Sequence, residues 1–216
     1  MQKILSKGFI LTLFILCSCE NKTNRDKEGL IVYQENQISW VRNFEPLNPV
    51  SICRWPTKGA IYEPLYIYNP IKTDWTPWLA TDYSWQESNK KLLFTIRTGV
   101  QWSDGQPFSA HDVEYTFNLT KEFPALDTRN YWDYLESVVA VSDTKIEANF
   151  NRVYVPGFDA IAGTYIIPKH IWSKIKDPLK FSNPDPVGTG PFTEILRFNS
   201  QVWELGKNHN YWQTGK

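Results

Sequence analysis

Three histidines, three cysteines and 23 carboxylates are the side chains of this 216-residue chain that could hold a metal or attack a substrate. His111, His170 and His209 are far apart in sequence, and none stands in a His-Glu-x-x-His arrangement. They read as surface or capping residues. Cys53 has no flanking motif that marks a nucleophile, and there is no Gly-x-Ser-x-Gly elbow. Glu63, Asp104 and Asp112 offer pairs of the kind used in glycoside hydrolysis, but any chain with so many carboxylates offers pairs. Asp104 and Asp112 also have local roles, in a turn and at a helix start. Gly188-Thr189-Gly190 could cradle a phosphate, yet no Lys-Ser or Lys-Thr follows and no helical pattern begins there. The residue patterns therefore imply no catalysis, no metal and no cofactor.

The elements that would carry these side chains are clearest from Leu92 to Phe123. Leu92, Phe94 and Ile96 alternate with Leu93, Thr95 and Arg97, the period of a half-buried strand. Ser103-Asp104-Gly105 before Pro107 predicts a tight turn. Ser109, three residues before Asp112, predicts a capping box opening a helix at Ala110, with Ala110, Val113 and Phe117 on one face. Pro124 ends it, because the residue before proline is pushed out of the α region. Leu30–Tyr33 predicts a first strand, and Ile61–Tyr68, Tyr83–Trp85 and Leu92–Arg97 an antiparallel meander. Val138–Val141 and Lys145–Phe150 predict a hairpin about Ser142-Asp143-Thr144. Thr164–Ile167 predicts a strand, and Pro168 the first residue of a helix through Ile175. Four prolines between Asp177 and Pro191 mark a long irregular crossing and a boundary. Phe192–Leu196 and Val202–Leu205 predict strands beyond it.

Taken alone, these elements form a scaffold. Their residues, however, resemble a family signature: Arg97, Gly99-Val100, Trp102-Ser103-Asp104-Gly105, Pro107, Ala110, Asp112-Val113 and Phe117. Tyr62-Glu63-Pro64-Leu65 precedes it, and Pro186-Val187-Gly188-Thr189-Gly190-Pro191, Asn208 and Asn210-Tyr211-Trp212 follow. The chain beyond residue 28 is similar to the family 5 extracellular solute-binding proteins, the oligopeptide and dipeptide receptors of ABC importers. Lys207 departs from the family's usual arginine. The resemblance implies an α+β, mixed α/β fold like that of periplasmic binding proteins. It would comprise part of lobe I and the inserted domain of the large peptide-binding type, with the second lobe missing. Expected divisions are residues 29–57 and 187–216 in lobe I, the return segment truncated, and 58–186 in the inserted domain.

Lys+Arg and Asp+Glu both number 23, so charge attracts neither nucleic acid nor an anionic membrane. Lys3 and Lys7 before the apolar run Phe9–Leu16 give residues 1–18 the layout of a secretory signal, too short to span a bilayer. Leu16-Cys17-Ser18-Cys19 resembles a bacterial lipobox with Cys19 as the lipidated residue. Residues 19–28 then read as a flexible tether. The expected location is the bacterial cell envelope, lipid-anchored and facing the periplasm or the exterior.

By resemblance, Trp40, Asn43, Arg54, Trp55 and Phe192 are the expected ligand contacts, and an ABC permease and a small solute the partners. Peptide is the expected solute. Oligosaccharide is the alternative, because Trp40, Phe44, Trp55, Tyr62, Tyr66 and Tyr68 could offer flat faces to sugar rings. In addition, the stretch from Trp55 to Leu65 resembles a branch associated with β-linked oligosaccharides. Core packing accounts for several of these rings equally well. A non-transporting remnant or surface interaction module is the third reading.

Overall fold

The computed structural model describes residues 29–33, 41–47, 57–199 and 202–214. Strand β1 (Gly29–Tyr33) is followed by helix α1 (Thr57–Ile61), then by β2 (Tyr66–Asn69) and β3 (Asp74–Pro77). Next come β4 (Ala80–Gln86), β5 (Lys91–Ile96), α2 (Ala110–Glu122) and short 3-10 turns at Pro124–Leu126 and Tyr131–Asp133. β6 (Leu135–Ser142), β7 (Lys145–Phe150), α3 (Gly157–Ala162) and α4 (Lys169–Trp172) lead to β8 (Phe192–Asn199) and β9 (Val202–Lys207).

The antiparallel sheet β4-β5-β7-β6 carries the larger core. Leu92, Phe94 and Ile96 of β5 and Ile146, Ala148 and Phe150 of β7 are buried on one face, as period-two spacing requires. Helix α2 packs on β6 and β7 with Ala110, Val113 and Phe117 buried. Its capping box is formed: the amide of Ser109 donates to Asp112 Oδ2 at 2.9 Å, and Ser109 Oγ accepts from His111 N at 3.3 Å. Asp112 Oδ1 also accepts from Lys169 N at 3.0 Å, which ties α4 to α2. In the preceding turn Gly105 sits at φ +86°, where a Cβ would be strained, and its amide donates to Trp102 O at 2.9 Å.

The second sheet, β1-β9-β8, pairs Gly29 with Gly206 and Val32 with Trp203. Leu30, Val32, Trp203 and Leu205 pack with Phe44, Ile61 and Tyr62. The crossing back to this sheet passes against α1. Gly190 N donates to Ile61 O at 2.9 Å, and a Cβ at Gly188 would fall 1.9 Å from that same oxygen. These glycines serve a close backbone approach. Gly190's amide is occupied, so the segment does not present the free amides that a phosphate cradle needs.

Some local expectations fail. Ile61–Tyr68 is not one strand: Tyr62 N donates to Lys58 O in a helical turn, Pro64 interrupts, and only Tyr66–Asn69 pairs. That strand forms its own two-stranded sheet with β3 and does not join the β4–β5 hairpin. Thr164–Ile167 supplies a single bridge, Tyr165 to Pro64. Pro168 is the N-cap of α4, not its first residue, and α4 closes at Trp172, short of Ile175.

Candidate functional site

Tyr62-Glu63-Pro64-Leu65 is where the pieces meet. Glu63 O accepts from Ile166 N at 3.2 Å, and Leu65 O accepts from both Trp78 N and Ala80 N at 3.0 Å. This backbone knot brings α1, the β2–β3 hairpin, the segment after α3 and the returning chain around one cavity of about 420 Å³. That volume falls in the range of small-molecule sites. Tyr62, Tyr66, Tyr68, Trp75, Trp78 and Tyr165 supply aromatic walls, and Tyr211 adds another from the return segment. Tyr66, Ile67 and Tyr68 are consecutive, yet all line the cavity. Trp75 of β3, the cross-strand partner of Tyr68, lines it with them.

The rings differ in availability. Tyr62 and Tyr66 are buried, whereas Tyr68 is 47% exposed and Ile67 37%. The Tyr68 and Trp75 rings lie 5.3 Å apart at a tilt of 56°, a cross-strand pair fixed by the hairpin register. Burial, with the nearby Asp82 carboxylate, pushes the Tyr66 phenol up to about 12, and burial also raises Tyr211. Both remain neutral donors near neutral pH.

The charged groups have unequal freedom. Glu63 is buried, and its carboxylate accepts from Trp78 Nε1 at 2.6 Å, Trp212 Nε1 at 3.0 Å and Tyr211 OH at 3.2 Å. Burial raises its pKa, and the indole hydrogen bonds offset this only in part. Arg97 braces the same corner: its Nε donates to Trp78 O at 2.6 Å and its guanidinium carbon lies 4.5 Å from the Trp212 ring centre. Arg129 is exposed, with Nη1 reaching Ala160 O at 3.3 Å.

Neither of the expected ligand contacts that are described, Asn43 and Phe192, lines the cavity. Cys19, Trp40, Arg54 and Trp55 fall outside the described residues. Asn43 does not line the cavity; its Oδ1 accepts from Glu45 N at 2.9 Å and shapes a turn. Phe192 packs against the Phe44 cluster, one residue from the lining Pro191. Of the aromatic set, Tyr62, Tyr66 and Tyr68 do line it, while Phe44 is core. Trp75 and Trp78 were missed, though counting back across the Asn69–Asp74 turn pairs Trp75 with Tyr68. Arg129, Tyr165 and Tyr211 arrive by tertiary contacts that no local pattern announces. Among the described residues no three metal-ligating side chains come together.

The model of the bacterial extracellular solute-binding proteins, family 5 middle, matches residues 74–216. The chain belongs to this family. It is 28% identical over 220 residues to the nickel-binding periplasmic protein of Escherichia coli, covering 93% of this chain and 38% of that one. The periplasmic oligopeptide-binding protein of an oligopeptide ABC transporter from Thermotoga maritima superposes with a TM-score of 0.70 at 29% identity, over 79% of this chain and 32% of the other. The mannohexaose-bound structure of that protein gives 0.66 at 30%, over 71% and 29%. This family 5 chain thus spans about a third of the length of those relatives, and its mixed α/β fold is theirs. The family consists of substrate-binding proteins of ABC transporters. Among the described residues no helix of this family 5 protein is long and apolar enough to cross a membrane.

Proposed function

We propose that this chain takes part in capturing oligopeptides for an ABC importer, with the cavity beneath the β2–β3 hairpin as the solute-facing surface. The observation that carries this reading is the aromatic-walled cavity to which three consecutive residues of β2, Tyr66–Tyr68, contribute. Among the described strands β2 pairs with β3 alone, so it has main-chain groups to offer an extended peptide whatever its side chains, and the aromatic walls accept those side chains. Capture works by differential binding: the solute stabilises a closed arrangement that the permease recognises. Residues 58–186 would act as the inserted unit, 29–57 and 187–216 as part of lobe I, and Cys19 as a lipid anchor at the envelope. Trp40, Arg54 and Trp55 remain proposed contacts on the same solute.

Oligosaccharide is a second reading. It is favoured by the half-exposed Tyr68–Trp75 pair and by a mannohexaose-bound relative. Titrating the chain with mixed tripeptides and with cellotetraose and mannotetraose, read by tryptophan fluorescence, separates the two. Peptide-induced quenching that is weakened in Tyr68→Ala and Trp75→Ala supports capture of peptides. Quenching by sugars alone overturns it.

A further inference from the structure

This inference rests on the peptide reading and names a residue that sets how firmly the cavity holds its solute. Glu63 stands between α1 and β2 on the cavity wall, and its carboxylate gathers donors from two distant parts of the chain. Trp78 Nε1, just after β3, donates at 2.6 Å, while Trp212 Nε1 at 3.0 Å and Tyr211 OH at 3.2 Å come from the segment after β9. Trp78 and Tyr211 are themselves cavity wall. The Trp78 and Trp212 rings meet edge to face, their centres 5.4 Å apart. One carboxylate therefore ties together two walls that the chain supplies far apart.

These contacts are not equally secure. Both tryptophans are braced a second time by Arg97, whose Nε donates to Trp78 O and whose guanidinium lies over the Trp212 ring. The tip of Tyr211 has no such brace: among the described residues its hydroxyl bonds to Glu63 alone, through the longest of the contacts. Its backbone is held separately, with Tyr211 N donating to Asn208 O at 3.2 Å. An indole N–H can only donate, whereas a phenol can turn its proton elsewhere. A proton on Glu63 exchanges charge-assisted hydrogen bonds for weaker neutral ones, and the Tyr211 contact is the one that yields first. Arg97 and Tyr211 are the charged and titratable groups packed about this carboxyl, while Arg129, the other tyrosines and Lys58 beside Tyr165 lie elsewhere around the cavity. Burial raises both Glu63 and Tyr211, which leaves the phenol neutral and makes Glu63 the member of this cluster whose charge changes below neutrality.

We propose that Glu63 is a positioning residue for peptide binding: as a carboxylate it holds the Tyr211 ring in place as cavity wall, and on taking up a proton it lets that wall loosen. The test uses the full chain and titrates Ala-Ala-Phe and cellotetraose by calorimetry at pH 7 and pH 5, between which the peptide's termini keep their charge. At pH 7 Tyr211→Phe and Glu63→Gln each weaken Ala-Ala-Phe about three- to tenfold, the size of one modest hydrogen bond. The double variant binds no worse than the weaker single one, because both changes cut the same contact. In the parent the affinity falls by a similar factor from pH 7 to pH 5, and in Tyr211→Phe it does not. Thermal melts at both pH values show which variants are folded; if Glu63→Gln is not, the comparison of the parent with Tyr211→Phe across pH decides alone. Losses that add in the double variant, an equal pH dependence in the parent and Tyr211→Phe, or parent-like binding by Tyr211→Phe at pH 7 overturns the assignment of Glu63 while peptide capture stands. Binding of cellotetraose without the peptide, or of neither, by the parent overturns peptide capture, and the assignment falls with it.

Discussion

The indole nitrogen of Trp78 lies 2.6 Å from Glu63 Oε1, a neutral donor holding a buried carboxylate on the wall of the cavity. Burial raises the pKa of Glu63 above its ordinary 4.5, so the native state holds its proton more tightly than the unfolded chain. The stability that follows is complete below 4.5 and is lost as pH rises through the native value. In Glu63→Gln the titration is gone, but an amide NH2 must face one of the donors, at a cost of about 1–3 kcal/mol. The variant should melt below the parent, and the gap should narrow as pH rises from 4 to 8. Melts by circular dichroism across that range check the sign; a gap that widens with pH contradicts it.

Two glycines should respond very differently to a methyl group. Gly99, at φ +77° with open space around it, should lose ~1 kcal/mol as alanine, from backbone strain alone. Gly188 should lose ~3 kcal/mol or more, because the new carbon meets the Ile61 carbonyl and the crossing must move. Urea midpoints of the two variants give the comparison, and equal losses would mean that the crossing is loosely packed.

At the start of α2 the two halves of the capping box should be unequal. Ser109→Ala removes a long hydrogen bond and should cost ~1 kcal/mol. Asp112→Ala strands both Ser109 N and Lys169 N, and should cost ~2–3 kcal/mol while loosening α4. Hydrogen exchange at Lys169 reads the second effect, which Ser109→Ala should not share.

If Cys19 carries lipid, the mature protein partitions into detergent and Cys19→Ser releases it to the aqueous phase. Phase partitioning of protein made in a bacterial host is the measurement. A Cys19→Ser protein that stays with the membrane removes the lipobox reading.

What the sequence disclosed depended on how local the cause was. The strand at Leu92–Ile96, the cap at Ser109 and the hairpin about Asp143 follow from residues a few positions apart, and all three formed. Tyr66 and Tyr68 could be named as aromatic candidates, but composition did not say which ring faces core and which faces the cavity. Arg129 and Tyr211 were invisible as lining of the same cavity as Glu63, since only the fold brings them to it. The alternation at Ile61–Tyr68 misled because α1 closes a turn through Tyr62 and Pro64 breaks the ladder.

The pairing of β1 with β9 closes a long loop. Gly29 meets Gly206 from far along the chain, whereas β4, β5, β6 and β7 join strands much nearer in sequence. Loop-closure entropy therefore weighs most on the β1–β9 pairing and least on the β4-β5-β7-β6 sheet. Among the described strands, the first in the chain is the one whose place depends most on everything between it and its partner.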